Sequence, residues 1–468
     1  MSASGGPTTP QQIVETALAA ARSDGCVVVV ETLATANVRW ANNTVTTNGV
    51  TDSLSWFVVA VLGGAAGTVA GSAADTESDE AIRAVVRAAE DAARAAAASG
   101  PSRDQQPLVT GEASDAFGEP GGSTDFGVFG RLLDGLSASF DAARGADRIL
   151  YGFARHEVAT TYLGAGTGLR LRWEQPTGAV ELNAKSADLQ RSVWDGASTA
   201  DFADVDLQAM SANLAAKLGW AARHVDLPSG RYDTVLPPTA VADFMIPLAW
   251  SAASRPAHEG RSAFAKAGGG TRIGERLTER PFSLYGDPSE FGIECAPFVA
   301  TAMSQDEISV FDNGAPIART ALLADGVISG LLQTRASAEE YGEEFTPVVD
   351  NLVLTGGDQA RTTADLVAGV ERGLLITSQW YLRVVDPMTL LHTGLTRDSV
   401  FLVEGGEIVG AVNNFRFNMS PLDVLRQASD VGRTERCMSR EWSDWFTRTA
   451  MPSIRVEGFN MSSVSAAR

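Results

Sequence analysis

Between Glu259 and Arg335 the chain must turn too often for a long helix or a long strand to fit. Glycine recurs at Gly268, Gly269, Gly270, Gly274, Gly286, Gly314, Gly326 and Gly330. The pieces between are short and strand-like: Phe282 to Leu284, Ile308 to Phe311 and Val327 to Leu332. Glycine reaches backbone conformations closed to other residues, so this spacing predicts short extended runs joined by tight turns, a β-rich unit. Such a unit is one part of a larger molecule, because 468 residues are enough for about two or three domains.

Read in order, residues 1–9 are small and polar and are expected to form a disordered tail. Residues 10–98 read as an N-terminal α/β subdomain. Helical spacing over Pro10 to Arg22 precedes a valine-rich strand at Cys26 to Glu31, and Asn48-Gly49 offers a hairpin turn before Ser53 to Leu62. Ser78 to Ala98 is a second helix, with Asp79 and Glu80 suited to its N-terminus. Residues 99–125, rich in Ser, Pro, Gly and Asp, read as a linker or long surface loop. Residues 126–235 form a middle α+β subdomain, and Pro237-Pro238 marks the boundary to a β-rich C-terminal domain over 236–468. The fold class is α+β: an N-terminal α/β portion in two subdomains, then a C-terminal domain of mainly antiparallel strands.

Hydrophobic residues make up 44% of the chain, ample for packed cores. The net charge of −20 argues against binding nucleic acid or an anionic membrane surface. No apolar run is long enough to span a bilayer, and MSASGGPTTPQQ has no basic patch ahead of an apolar core. Cys26, Cys295 and Cys437 are far apart and odd in number, and read as free thiols in a reducing cytoplasm. Few lysines beside many Arg and Ala suggest a GC-rich bacterial genome.

Chemistry is sparse. His156, His224, His258 and His392 are the only histidines, whereas a zinc hydrolase gathers two or three imidazoles on one ion. His258-Glu259 opens an H-E pair, but Ser262 stands where the second histidine belongs and Pro256 and Gly260 oppose a helix there, so an incidental surface histidine is expected. His392 with Cys437 and a carboxylate would make a site only if the fold gathered them. The glycines of 268–274 lack the phosphate-loop lysine, and no G-x-S-x-G elbow occurs. Two polar clusters remain, Thr393 to Asp398 and Asn413 to Asn418. Their Arg397, Asp398, Asn413, Asn414, Arg416 and Asn418 are candidates for contact with an extended peptide or a partner, since amides and guanidinium groups can bond a strand's backbone. The alternative is that they satisfy buried groups of their own chain.

The stretches Gly260-Arg261-Ser262, Gly269 to Glu275, Asp287-Pro288, Phe311 to Gly314 and Thr393 to Asp398 resemble the TldD/TldE (PmbA) family, and its TldE/PmbA branch in particular. The similarity runs from about Asn37 to about Phe459. The resemblance implies a cytoplasmic chain that pairs, as a heterodimer, with a TldD-like catalytic subunit and helps process unfolded or extended peptides. In the catalytic branch an H-E-x-x-x-H helix and a later cysteine hold zinc. Here the corresponding helix, near Phe244 to Trp250, reads FMIPLAW, and only Cys437 stands near an expected ligand position. The resemblance therefore implies no catalytic residue and no cofactor in this chain, zinc in the partner subunit, and no peptidase activity alone. Two alternatives stay open: an independent metallopeptidase with an atypical site, and a peptide-binding module without a protease partner.

Overall fold

The computed structural model describes residues 8–466. The tail expected over 1–9 lies outside the described residues up to position 7; Thr9 is the N-cap of α1 (Pro10–Ala20), its hydroxyl accepting from the backbone of Gln12. Six strands form the first sheet: β1 (Gly25–Ala41), β2 (Thr44–Leu62), β3 (Ala65–Ser72), β4 (Arg148–Ala165), β5 (Arg170–Ser186) and β6 (Ser192–Thr199). Their order is β3-β2-β1-β4-β5-β6, antiparallel throughout. Because β1 pairs with β4, segments 10–98 and 126–235 meet in one sheet.

Successive side chains of a strand point to opposite faces, and both faces of β1 are used. Val28 and Val30 join Trp56, Val58 and Tyr162 beneath α1 and α2 (Asp79–Ala97). Further along the same face, Ala36, Val38 and Trp40 pack under α3 (Gly130–Gly145) and α4 (Leu207–Trp220). Val27 and Val29 point the other way, onto Phe298, Val310 and Phe311 of the C-terminal unit. The segment 99–125 runs between the two units. Its Arg103 pairs with Glu259 at 2.8 Å and Glu340 at 3.0 Å.

The β1–β2 hairpin turns at Asn42-Asn43, not at Asn48-Gly49. Ala41 faces Thr44, and both asparagines take positive φ, 52° and 58°. A two-residue turn that matches strand twist needs positive φ at both positions, which asparagine tolerates. Gly49 sits within β2, opposite Asn37.

The second sheet has 14 strands among the described residues, mainly antiparallel with a few parallel contacts. At its centre the strand Thr449–Val464 lies between Gly230–Leu236 and Leu352–Thr355. Helix α5 (Pro238–Trp250) packs on that strand, and Phe244 meets Phe417 and Phe459 with ring centroids 5.9 and 6.1 Å apart. The glycine-punctuated stretch is less regular than expected. Phe282 to Leu284 becomes the strand Ser283–Gly286, and Val327 to Leu332 shortens to Val327–Ile328. Ile308 to Phe311 gives no strand; Val310–Asp312 is a single tight helical turn, since Val310 and Phe311 are buried against the first sheet and Asp312 is held by Arg335 at 2.8 Å. Gly268, Gly269, Gly270 and Gly274 all take positive φ, the role glycine was expected to play there. No helix among the described residues is long and apolar enough to cross a membrane.

Candidate functional site

Helix α5 is where a metal-binding helix would stand, and packing governs it. Residues Ala240 to Leu248 are all buried, so a helix that is apolar around its circumference has become a core element. Its one carboxyl, Asp243, is fully buried. Oδ1 accepts from Ser439 Oγ at 2.6 Å and from the Glu441 backbone at 3.0 Å; Oδ2 has no partner within the described chain. Lost hydration pushes this acid up to about 7, against the pull of Ser439. At the helix end Trp250 packs edge-on to Trp442, centroids 5.2 Å apart, with Phe446 behind at 6.4 Å. Cys437 does come close enough for Asp243 to affect it electrostatically, but enclosure pushes its thiol up to about 12, and the sulfur contacts Thr449 Oγ1 at 3.4 Å. A neutral thiol and one carboxyl already engaged by donors do not fit zinc, whose catalytic sites take three protein donors. Among the described residues no three His, Cys, Asp or Glu side chains converge as metal ligands.

The polar clusters come together in part. Arg397, Asp398, Asn413 and Asn414 line one cleft of about 800 Å³, with Lys185 of β5 and Arg191 of the β5–β6 connection. All four are tied into the fold: Asn413 Oδ1 accepts from the Leu227 backbone at 2.6 Å, and Asn414 Oδ1 from that of Asp398 at 2.9 Å. The Asp398 carboxylate accepts from Ser192 at 3.1 Å. The Arg397 guanidinium donates to the Tyr381 hydroxyl at 3.3 Å and lies 5.4 Å from the Trp380 ring centre. Arg416 and Asn418 do not line this cleft. They sit on the strand Phe415–Met419, where Arg416 is exposed and donates to Thr393 at 3.3 Å, and Asn418 faces Thr393 across the ladder.

A family model described as the PmbA/TldA metallopeptidase C-terminal domain matches residues 229–463, which begin just ahead of α5 and include Cys437. The chain belongs to the PmbA/TldD family. Among solved structures, TldE from Thermococcus kodakarensis superposes with a TM-score of 0.75 at 15% identity, over 96% of this chain and 99% of that one. A Thermotoga maritima protein assigned as a candidate modulator of a DNA gyrase gives 0.74 at 17% identity, over 96% and 99%. A Bacteroides thetaiotaomicron protein assigned in the same way gives 0.72 at 12% identity, over 97% and 98%. At these identities the likeness shows the shared fold. The comparison with curated proteins gave no match.

Within this PmbA/TldD fold the histidines have structural surroundings. His258 ends the short helix α6 (Ser254–His258), which Pro256 and Gly260 do not prevent because proline enters it early and glycine lies beyond its end. It is no incidental surface residue: its ring stacks on Tyr341, centroids 3.8 Å apart, and Nε2 bonds Glu343 at 3.0 Å. His392 is buried, with Nδ1 on the Leu390 carbonyl at 2.8 Å, and burial lowers its pKa. Sequence reasoning passed over Asp243. The signal was there, a lone carboxylate in an otherwise apolar run.

Proposed function

We propose that this PmbA/TldD chain is the non-catalytic subunit of a TldD/TldE-type zinc metallopeptidase complex. In that reading a TldD-like partner carries the zinc, and the pair degrades or processes unfolded or extended peptides in the cytoplasm. The observation behind it is the state of α5: where its catalytic relatives are expected to grip a metal, Ala240 to Leu248 form buried core and Trp250 packs on Trp442 and Phe446. The Arg397 and Asn414 cleft and the Arg416 face are the proposed peptide- or partner-contact surfaces.

The test is a peptide-cleavage assay on this chain alone, on an H-E-x-x-x-H homologue alone, and on the mixture. Cleavage by the mixture well above either component, with co-purification of the two, is expected. Cleavage by this chain alone would replace the proposal with an independent peptidase. A mixture no faster than the homologue, without co-purification, would leave a peptide-binding module.

A further inference from the structure

A second region of mixed apolar and acidic character lies where the first sheet faces the C-terminal unit. A cavity of about 520 Å³ opens between β1–β2 and the segments 296–309 and 345–350. Its walls are mostly apolar, with Val29, Phe57, Phe298, Ile308, Phe345 and Val348 among them. Four acidic residues, Glu31, Glu307, Asp312 and Asp350, are among the lining, with no Lys, Arg or His. Two are neutralised from outside the cavity, Asp312 by Arg335 at 2.8 Å and Asp350 by Arg448 at 2.6 Å.

Among the described residues, Glu31, at the exposed mouth of the cavity, and Glu307 pair with no such cation. Glu31 follows Val27 and Val29 along one face of β1, so the strand's own alternation sends it into the cavity. It stands between Ser55 of β2 and Thr161 of β4, both of which also line the wall. Glu307 is half-buried and shared with a second cavity of about 240 Å³ that reaches Trp250 and Phe446. Lost hydration raises both acids, with the charge of Glu157 adding at Glu31 and that of Asp306 at Glu307. A carboxylate held against apolar walls without a counter-charge is a cost that an incoming cation removes.

We infer that this cavity receives a cationic side chain on an apolar stem, the lysine or arginine of an extended peptide. An aliphatic stem covers the apolar wall while its charged head reaches the carboxylates. Phe57, Phe298 and Phe345 also line the cavity, and aromatic rings attract ammonium and guanidinium groups. The inference rests on the peptide-handling reading above in naming a peptide as the source of the cation.

The experiment is calorimetric titration of this chain alone with acetyl-Ala-Val-Lys-Val-Ala-amide and with the same peptide carrying norleucine or glutamate for lysine. The lysine peptide is expected to bind about tenfold more tightly than the norleucine peptide at low salt, and the glutamate peptide most weakly. Glu31→Gln and Glu307→Gln, each near-isosteric, should bring the lysine and norleucine peptides together. Ser55→Lys, at an exposed position facing Glu31, supplies the cation internally and should do the same. Equal affinities for lysine and norleucine in the unmodified chain would overturn the inference. So would binding of none of the three peptides, or lysine preference surviving in all three variants. Because no partner is present, these outcomes are independent of the mixed cleavage assay, which alone decides the partnership.

Discussion

The α5 locus and the cavity beneath β1 both hold carboxyl groups against apolar neighbours, fully buried at Asp243, half-buried at Glu307 and exposed at Glu31, and the chain treats them in opposite ways. Asp243 is enclosed, with Oδ1 bonded to Ser439 and Glu441 and aromatic rings packed at the helix end. Glu31 and Glu307 line open space and have no cation beside them among the described residues. The difference teaches that a carboxylate in a core helix is a structural element once its neighbours supply the donors. One on an open apolar wall is incomplete without a ligand.

The sharpest way to break the comparison is to loosen the filled side. Phe244→Ala removes a ring packed on Phe417 and Phe459 and should cost about 3–5 kcal/mol in urea denaturation. A loss below about 1 kcal/mol would mean that this region is not close-packed core.

Asp243 gives the next largest effect, through pH. An unfolded aspartate titrates near 4, while the buried one is pushed up to about 7. Between those values the folded chain keeps a proton that the unfolded chain has released, so this group's contribution to stability falls as pH rises from about 4 to 7 and is level above. Asp243→Asn should abolish that slope, worth roughly 2–4 kcal/mol, and so gain on the unmodified chain between pH 5 and pH 8. Urea midpoints at both pH values check it; parallel shifts in the two proteins would contradict the enclosed, protonated state.

The smallest effects belong outside both regions. Asn413→Ala strips the Leu227 backbone of its 2.6 Å acceptor and should cost about 1 kcal/mol. Exposed Arg416→Ala should stay within about 0.5 kcal/mol in stability while weakening co-purification with a TldD-like subunit. Intact assembly and intact cleavage in both variants would remove these residues from peptide or partner contact.

Much of this was legible before the structure. The two-sided burial of β1 follows from its valine run, and α5 from a stretch with no polar face except Asp243. The α+β class and the family followed from element pattern and from short glycine-bearing stretches. The failures were local. Asn48-Gly49 is a good turn dipeptide, but the register that buries Val38 and Trp40 placed the turn at Asn42-Asn43. Ile308 to Phe311 has strand composition, yet burying Val310 and Phe311 against the first sheet curled the backbone there. The cavity could not be read at all. Glu31 and Glu307 are 276 positions apart by subtraction of their numbers, and only the packing of two units brings them to one cavity.

The most direct measurement is the zinc content of the purified chain, by elemental analysis after equilibration with the ion and removal of the excess. The account predicts well below one equivalent, unaltered in Cys437→Ser. One tightly held zinc per chain, lost in Cys437→Ser, would contradict it.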